Sequence, residues 1–172
     1  EARVFDNTMT GANFTVSATS GASGSQTQVG TNFADGTGNS LSAFTSASAG
    51  AASQSLVTGN SIAGNDNALT GSVDSGAMQA DVTDGQVSGS GNTLASTASG
   101  AGATALNDQN DVAGNNNSVR ADSTNGGAST SQLNIVTGTA NMLDANATAA
   151  GASADMIDNV VGGANNNLTD RK

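Results

Sequence analysis

The 172-residue chain sets 4 basic side chains against 14 acidic ones and contains no His, Cys, Pro, Trp or Tyr. So few Lys and Arg argue against a nucleic-acid partner, whose phosphates need them, and against anionic membrane surfaces. No apolar run approaches the ~20 residues that cross a bilayer, so no membrane insertion is expected. Without Cys there are neither disulfides nor thiolate chemistry.

A low content of large apolar residues with a net charge of -10 would ordinarily read as disorder. The apolar residues are not scattered, however. Residues 1–10 hold Phe5, Asn7 and Met9, and at Gly11 a motif begins that returns to the end of the chain. Its glycines are Gly11, Gly36, Gly64, Gly89, Gly114, Gly138 and Gly163, spaced 25, 28, 25, 25, 24 and 25 residues apart. Five residues after each comes an apolar residue: Val16, Leu41, Leu69, Leu94, Val119, Leu143 and Leu168. Three residues after it stand Asn39, Asn67, Asn92, Asn117, Asn141 and Asn166, with Phe14 replacing Asn in the first copy. Four residues before it stand Asn7, Asn32, Asn60, Asn110, Asn134 and Asn159, with Gly85 the exception. A second landmark falls halfway through most units: Gly21-Ala22, Gly50-Ala51, Gly76-Ala77, Gly102-Ala103, Gly127-Ala128 and Gly151-Ala152.

Period-two alternation of Asn60, Ile62 and Gly64 changes parity across a Gly-x-x-Asn corner, the signature of two short strands joined by a tight arc. Frequent Gly, Asn, Ser and Thr in every unit disfavour a helix, and the period matches no helical repeat. The predicted fold is all-β, a β-solenoid or cross-β stack of about seven ~25-residue rungs, with two main strand segments per rung joined by Gly/Asn arcs. Equivalent residues would then lie ~4.8 Å apart, apolar over apolar and amide over amide. The units divide the chain into an N-terminal half-rung at 1–10, six repeats over 11–162 starting at 11, 36, 64, 89, 114 and 138, and a C-terminal half-rung at 163–172. One subunit's last half-rung is expected to be completed by the first half-rung of the next. A start at Glu1 rather than Met fits a processed, secreted protein.

These units resemble those of bacterial functional amyloid subunits. Gly89-Ser-Gly-Asn-Thr-Leu94 is similar to the Gly-x-x-Asn-x-apolar core of curlin repeats. Asn60-Ser-Ile-Ala-Gly-Asn-Asp-Asn67 and Asn110-Asp-Val-Ala-Gly-Asn-Asn-Asn117 resemble Fap-type fibre subunits of pseudomonads more closely. The resemblance implies secretion, assembly into cross-β fibres, and a role in biofilm matrix and adhesion. The chain departs from both types: apolar residues occupy the inner Gln position of curlins, and the C-terminal Cys pair of Fap subunits is missing.

Catalysis finds little footing. The usual general base and thiol nucleophile are absent, and no Gly-x-Ser-x-Gly elbow sits between a strand and a helix. The pairs Asp81/Asp84, Asp108/Asp111 and Asp155/Asp158 read as solvated turn residues; the alternative is Ca²⁺ ligation, with Asp81, Asp84, Asp108 and Asp111 as candidates. No other cofactor is expected. The resulting expectation is a non-enzymatic, secreted subunit of an extracellular fibre, whose partners are further copies of itself, with a matrix polysaccharide as a further candidate. The alternative is a monomeric solenoid that binds ice or carbohydrate on a flat face, and a third reading is a piece of a large adhesin.

Overall fold

The computed structural model describes residues 1–21, 24–46, 53–74, 78–125, 127–149 and 151–172. All regular structure among them is β-strand, arranged in three parallel seven-stranded sheets. The chain winds as a β-solenoid, and each turn contributes one strand to each sheet. In the fifth rung these are Thr104–Asp108 in sheet 1, Asp111–Ala113 in sheet 2 and Ser118–Thr124 in sheet 3.

The two expected segments are therefore three strands. The half-unit that precedes each corner glycine is itself bent just before its ladder Asn. There Asp6, Thr31, Gly59, Asp84, Gln109, Leu133 and Asp158 all take positive φ, between 51 and 61°. One left-handed residue is enough to turn the chain from sheet 1 into sheet 2.

The second corner, between sheets 2 and 3, explains the glycine column. Gly36, Gly64, Gly89, Gly114, Gly138 and Gly163 have φ between 105 and 136°. A Cβ on Gly64 would also lie 1.9 Å from the carbonyl oxygen of Gly36 in the rung before. Both the backbone conformation and the stacked neighbour thus demand glycine.

Stacking is in register throughout. Leu41 pairs with Leu69, Leu69 with Leu94, Leu94 with Val119, and Val119 with Leu143. These five are buried, whereas Val16 in the first rung is half-buried and Leu168 in the last is 49% exposed. Val29, Val57 and Val82 from sheet 1, and Ile62, Val87, Val112 and Val136 from sheet 2, close a three-sided core against this ladder. Away from sheet 2 the cross-section narrows to a wedge where sheets 1 and 3 meet through Val73, Ala80, Ala98, Ala103, Ala105 and Ala121. Small side chains are needed there because the sheets nearly touch: a Cβ on Gly71 would sit 2.8 Å from the Asp81 carbonyl oxygen.

The described small-residue landmarks, Gly21, Gly102, Ala103, Gly127, Ala128, Gly151 and Ala152, lie at the thin edge, where sheet 3 returns to sheet 1; Ala22, Gly50, Ala51, Gly76 and Ala77 fall outside the described residues. The 28-residue unit places its three additional residues between strands Ser40–Thr45 and Ser53–Thr58, so the ladders resume unshifted. Drawn between these loops, rungs run from 2–20 to 153–171, each with all three strands. The half-rungs at 1–10 and 163–172 fall inside these rungs, since a division at the corner glycines marks the same repeat in another phase.

Candidate functional site

Among the described residues, the polar groups are arranged chiefly in two amide ladders and on the flat outer faces of the sheets. Both ladders are where the sequence puts them. Asn7, Asn32, Asn60, Asn110, Asn134 and Asn159 line the corner between sheets 1 and 2, and Asn39, Asn67, Asn92, Asn117, Asn141 and Asn166 line the corner between sheets 2 and 3.

Their bonding is directional. The side-chain oxygen accepts the backbone N–H of the Asn one rung earlier: Asn32 N–H to Asn60 Oδ1 at 3.1 Å, Asn110 N–H to Asn134 Oδ1 at 3.1 Å, Asn92 N–H to Asn117 Oδ1 at 2.9 Å. Nδ2 donates in the same direction to a main-chain carbonyl of the earlier rung, Asn60 to Val29 O at 3.1 Å and Asn117 to Gly89 O at 3.1 Å. At the first corner, direct amide–amide bonds join Asn110 to Asn134 and Asn134 to Asn159. Each ladder Asn thus caps the backbone of its predecessor, and a buried amide is left satisfied. Phe14 has no such side chain but still gives its N–H to Asn39 Oδ1. Gly85 interrupts the other ladder: Gly85 N–H reaches Asn110 Oδ1, while residue 85 offers nothing to Asn60.

The outer faces differ in character. On sheet 3, the first four rungs present Thr15, Ser17 and Thr19, then Ser40, Ser42 and Phe44, then Ala68, Thr70 and Ser72, then Thr93, Ala95 and Thr97. Later rungs bring charge: Asp144, only 2% exposed, lies 4.0 Å from Arg120 and 3.9 Å from Arg171. Sheet 2 carries a shallow groove lined by Ser61, Gln86, Ser88 and Asp111.

Sheet 1 presents Gln26, Gln54 and Gln79 in a row, with Gln26 donating to Gln54 at 2.6 Å. Beside them runs the column Arg3, Gln28, Leu56, Asp81, Leu106, Thr130 and Asp155. Asp81 is enclosed between two leucines, and this burial, with a lesser contribution from Asp108, raises its pKa to about 6 against the lowering effect of its bond from Gln79.

The four Asp residues weighed as Ca²⁺ ligands do not form one metal-binding cluster. Asp81 and Asp108 are on sheet 1, Asp84 is in the bend and Asp111 is on sheet 2; among the described residues no three acidic groups gather in metal-binding geometry. The left-handed column and the outer columns escaped the sequence reading. The one faint signal of the former is the turn-favouring residue at four of its positions, Asp6, Gly59, Asp84 and Asp158. Comparison with protein-family models, curated proteins and solved structures found no match.

Proposed function

We propose that the chain is a secreted, non-catalytic structural subunit of an extracellular fibre, of the kind its repeats resemble, growing as copies stack end to end along the solenoid axis. The observation that carries this reading is the sameness of successive rung contacts. The surface that Leu69, Asn67 and Gly64 present to Leu94, Asn92 and Gly89 is repeated in the next pair of rungs, so one rung's upper face suits any rung's lower face. The ladders also have a direction, which makes such a contact head-to-tail and open-ended. Because each repeat supplies all three strands, such a contact lays one rung on another. At the second corner Phe14, 42% exposed, would cover the partner's last turn in place of an amide.

Electron microscopy of the purified protein at rising concentration tests the reading. Unbranched filaments with a ~4.8 Å repeat along their axis support it; particles that stay one solenoid in size at millimolar concentration refute it.

The uncharged surface over rungs 1–4 of sheet 3, all Thr, Ser and Ala apart from Phe44, together with the polar groove on sheet 2, favours a second reading, a solenoid that binds ice or a matrix polysaccharide. Thermal hysteresis, or retention on a polysaccharide column, without filaments would select it.

A further inference from the structure

The outer column of sheet 1 is a palindrome in chemistry. Read from either end, Arg3 answers to Asp155, Gln28 to Thr130, Leu56 to Leu106, and Asp81 to itself. The column at the sheet-2 side behaves alike: Phe5 answers to Ile157, Gly30 to Gln132, Thr58 to Asp108, and Thr83 to itself. Gln54 and Thr104 flank a self-paired Gln79 in the third column. Such an arrangement suits a two-fold axis lying along strand Met78–Thr83, which reverses the solenoid direction and lays each column on itself.

The geometry points to a second copy of this chain as the partner of sheet 1, packed face to face and antiparallel, with Asp81 of each copy meeting at the centre. Every opposed pair but Asp81 with its own copy is then compatible. Arg3 meets the carboxylate of Asp155, Leu56 meets Leu106, Phe5 meets Ile157, and the Thr58 hydroxyl can donate to Asp108. The four charged residues on the strands of sheet 1 are Arg3, Asp81, Asp108 and Asp155, and only Asp81 would face its own kind. Parallel pairing would set Arg3 on Arg3 and Asp155 on Asp155, and is disfavoured. Seven strands ~4.8 Å apart and five residues of ~3.3 Å each give a face of roughly 30 by 17 Å, about 1,000 Å² over both partners. That is the lower edge of a specific interface, so one unfavourable contact can decide the outcome.

Asp81 is that contact. Two carboxylates opposed between leucines cannot both ionise cheaply, and a shared or gained proton relieves them. Of the strands packed against Met78–Thr83, only Thr104–Asp108 brings a titratable group, Asp108; Ser53–Thr58, Ala68–Val73 and Thr93–Ala98 bring none. The raised pKa of Asp81 already in the single chain places the change near pH 6. Pairing is therefore favoured below that pH and opposed above it.

The lack of native Cys permits a direct test. Gln28→Cys and Thr130→Cys are made as separate single variants, each also carrying Asp81→Asn, then mixed and oxidised at pH 8. The crossed 28–130 disulfide dimer is expected from the mixture, at least about tenfold faster than when Asp81 is retained. Gln28→Cys oxidised alone should give little dimer, because the two positions 28 lie four rungs apart, roughly 19 Å. Absence of the crossed product, equal self-linking of Gln28→Cys, or indifference to residue 81 overturns the inference. The pairing does not depend on the fibre reading: filaments without crossed product would refute the pairing alone, and crossed dimers without filaments would refute the fibre alone.

Discussion

Asn92 accepts the backbone N–H of Asn67 on Oδ1 at 2.9 Å while its own N–H is accepted by Asn117 Oδ1, also at 2.9 Å. One side chain thus joins its rung to the one before, and Nδ2 adds a second bond to Gly64 O at 3.0 Å. Such contacts are buried, and they repeat at the spacing of the fold. That repetition is how a chain with few large apolar residues stays ordered: each rung is covered by its neighbours and not by a globular core.

Removing this side chain should be costly. Asn92→Ala strips the acceptor from the Asn67 N–H and the donor from Gly64 O, leaving buried main-chain groups unmatched. A loss of about 2–4 kcal/mol is expected in urea unfolding. A change below about 0.5 kcal/mol would mean that solvent reaches these groups.

Gly85 offers the opposite experiment. In the rungs beside it, Asn60 and Asn110 donate to Val29 O and Val82 O, so an Asn at 85 would reach Val57 O and offer an oxygen to the Asn60 N–H. A Cβ there would meet Asn110 Oδ1 at 2.8 Å, the movable end of a side chain. Gly85→Asn is expected to raise stability by about 1–2 kcal/mol, read in the same unfolding assay.

Ala140 sits at φ 56° in a corner column where Gly38 and Gly91 have φ 71°. A left-handed non-glycine residue costs about 1–2 kcal/mol, so Ala140→Gly should recover part of it despite the greater freedom of the unfolded chain. The melting temperature should rise by a few degrees.

The glycine, asparagine and leucine columns are legible because each has a single physical cause that admits few residue types. Gly64 is fixed by its φ and by the Gly36 carbonyl above its Cα; Asn67 is fixed by a two-sided hydrogen bond. The third strand is hidden because its bend demands only a left-handed backbone, which Asp84, Gln109 and Leu133 all supply. Nothing common to those side chains marks it. The outer columns of sheet 1 are hidden for another reason: solvent-facing positions tolerate any chemistry, and their palindrome emerges only once Gln28 is placed beside Leu56 across the 28-residue unit.

Asp81 should make stability depend on pH in an unusual direction. Its pKa is raised from 3.8 to about 6, so the folded chain holds this proton more firmly than the unfolded chain does. The contribution is fully present below the unfolded value and is lost as pH rises from about 4 to about 6. At concentrations too low for association, the melting temperature of the parent should fall across this window more than that of Asp81→Asn. At pH 7 the variant should be the more stable of the two.

The vertical register of the rungs is tested most directly by nuclear Overhauser contacts between backbone protons of the apolar column. Leu69 should contact Leu94, and Leu94 should contact Val119, both at a separation of 25 residues. The separation should shift to 28 for Leu41 with Leu69 and to 24 for Val119 with Leu143. Contacts confined to residues three and four apart, or a uniform period that ignores the 28-residue unit, would contradict the stacked solenoid and all that is built on it.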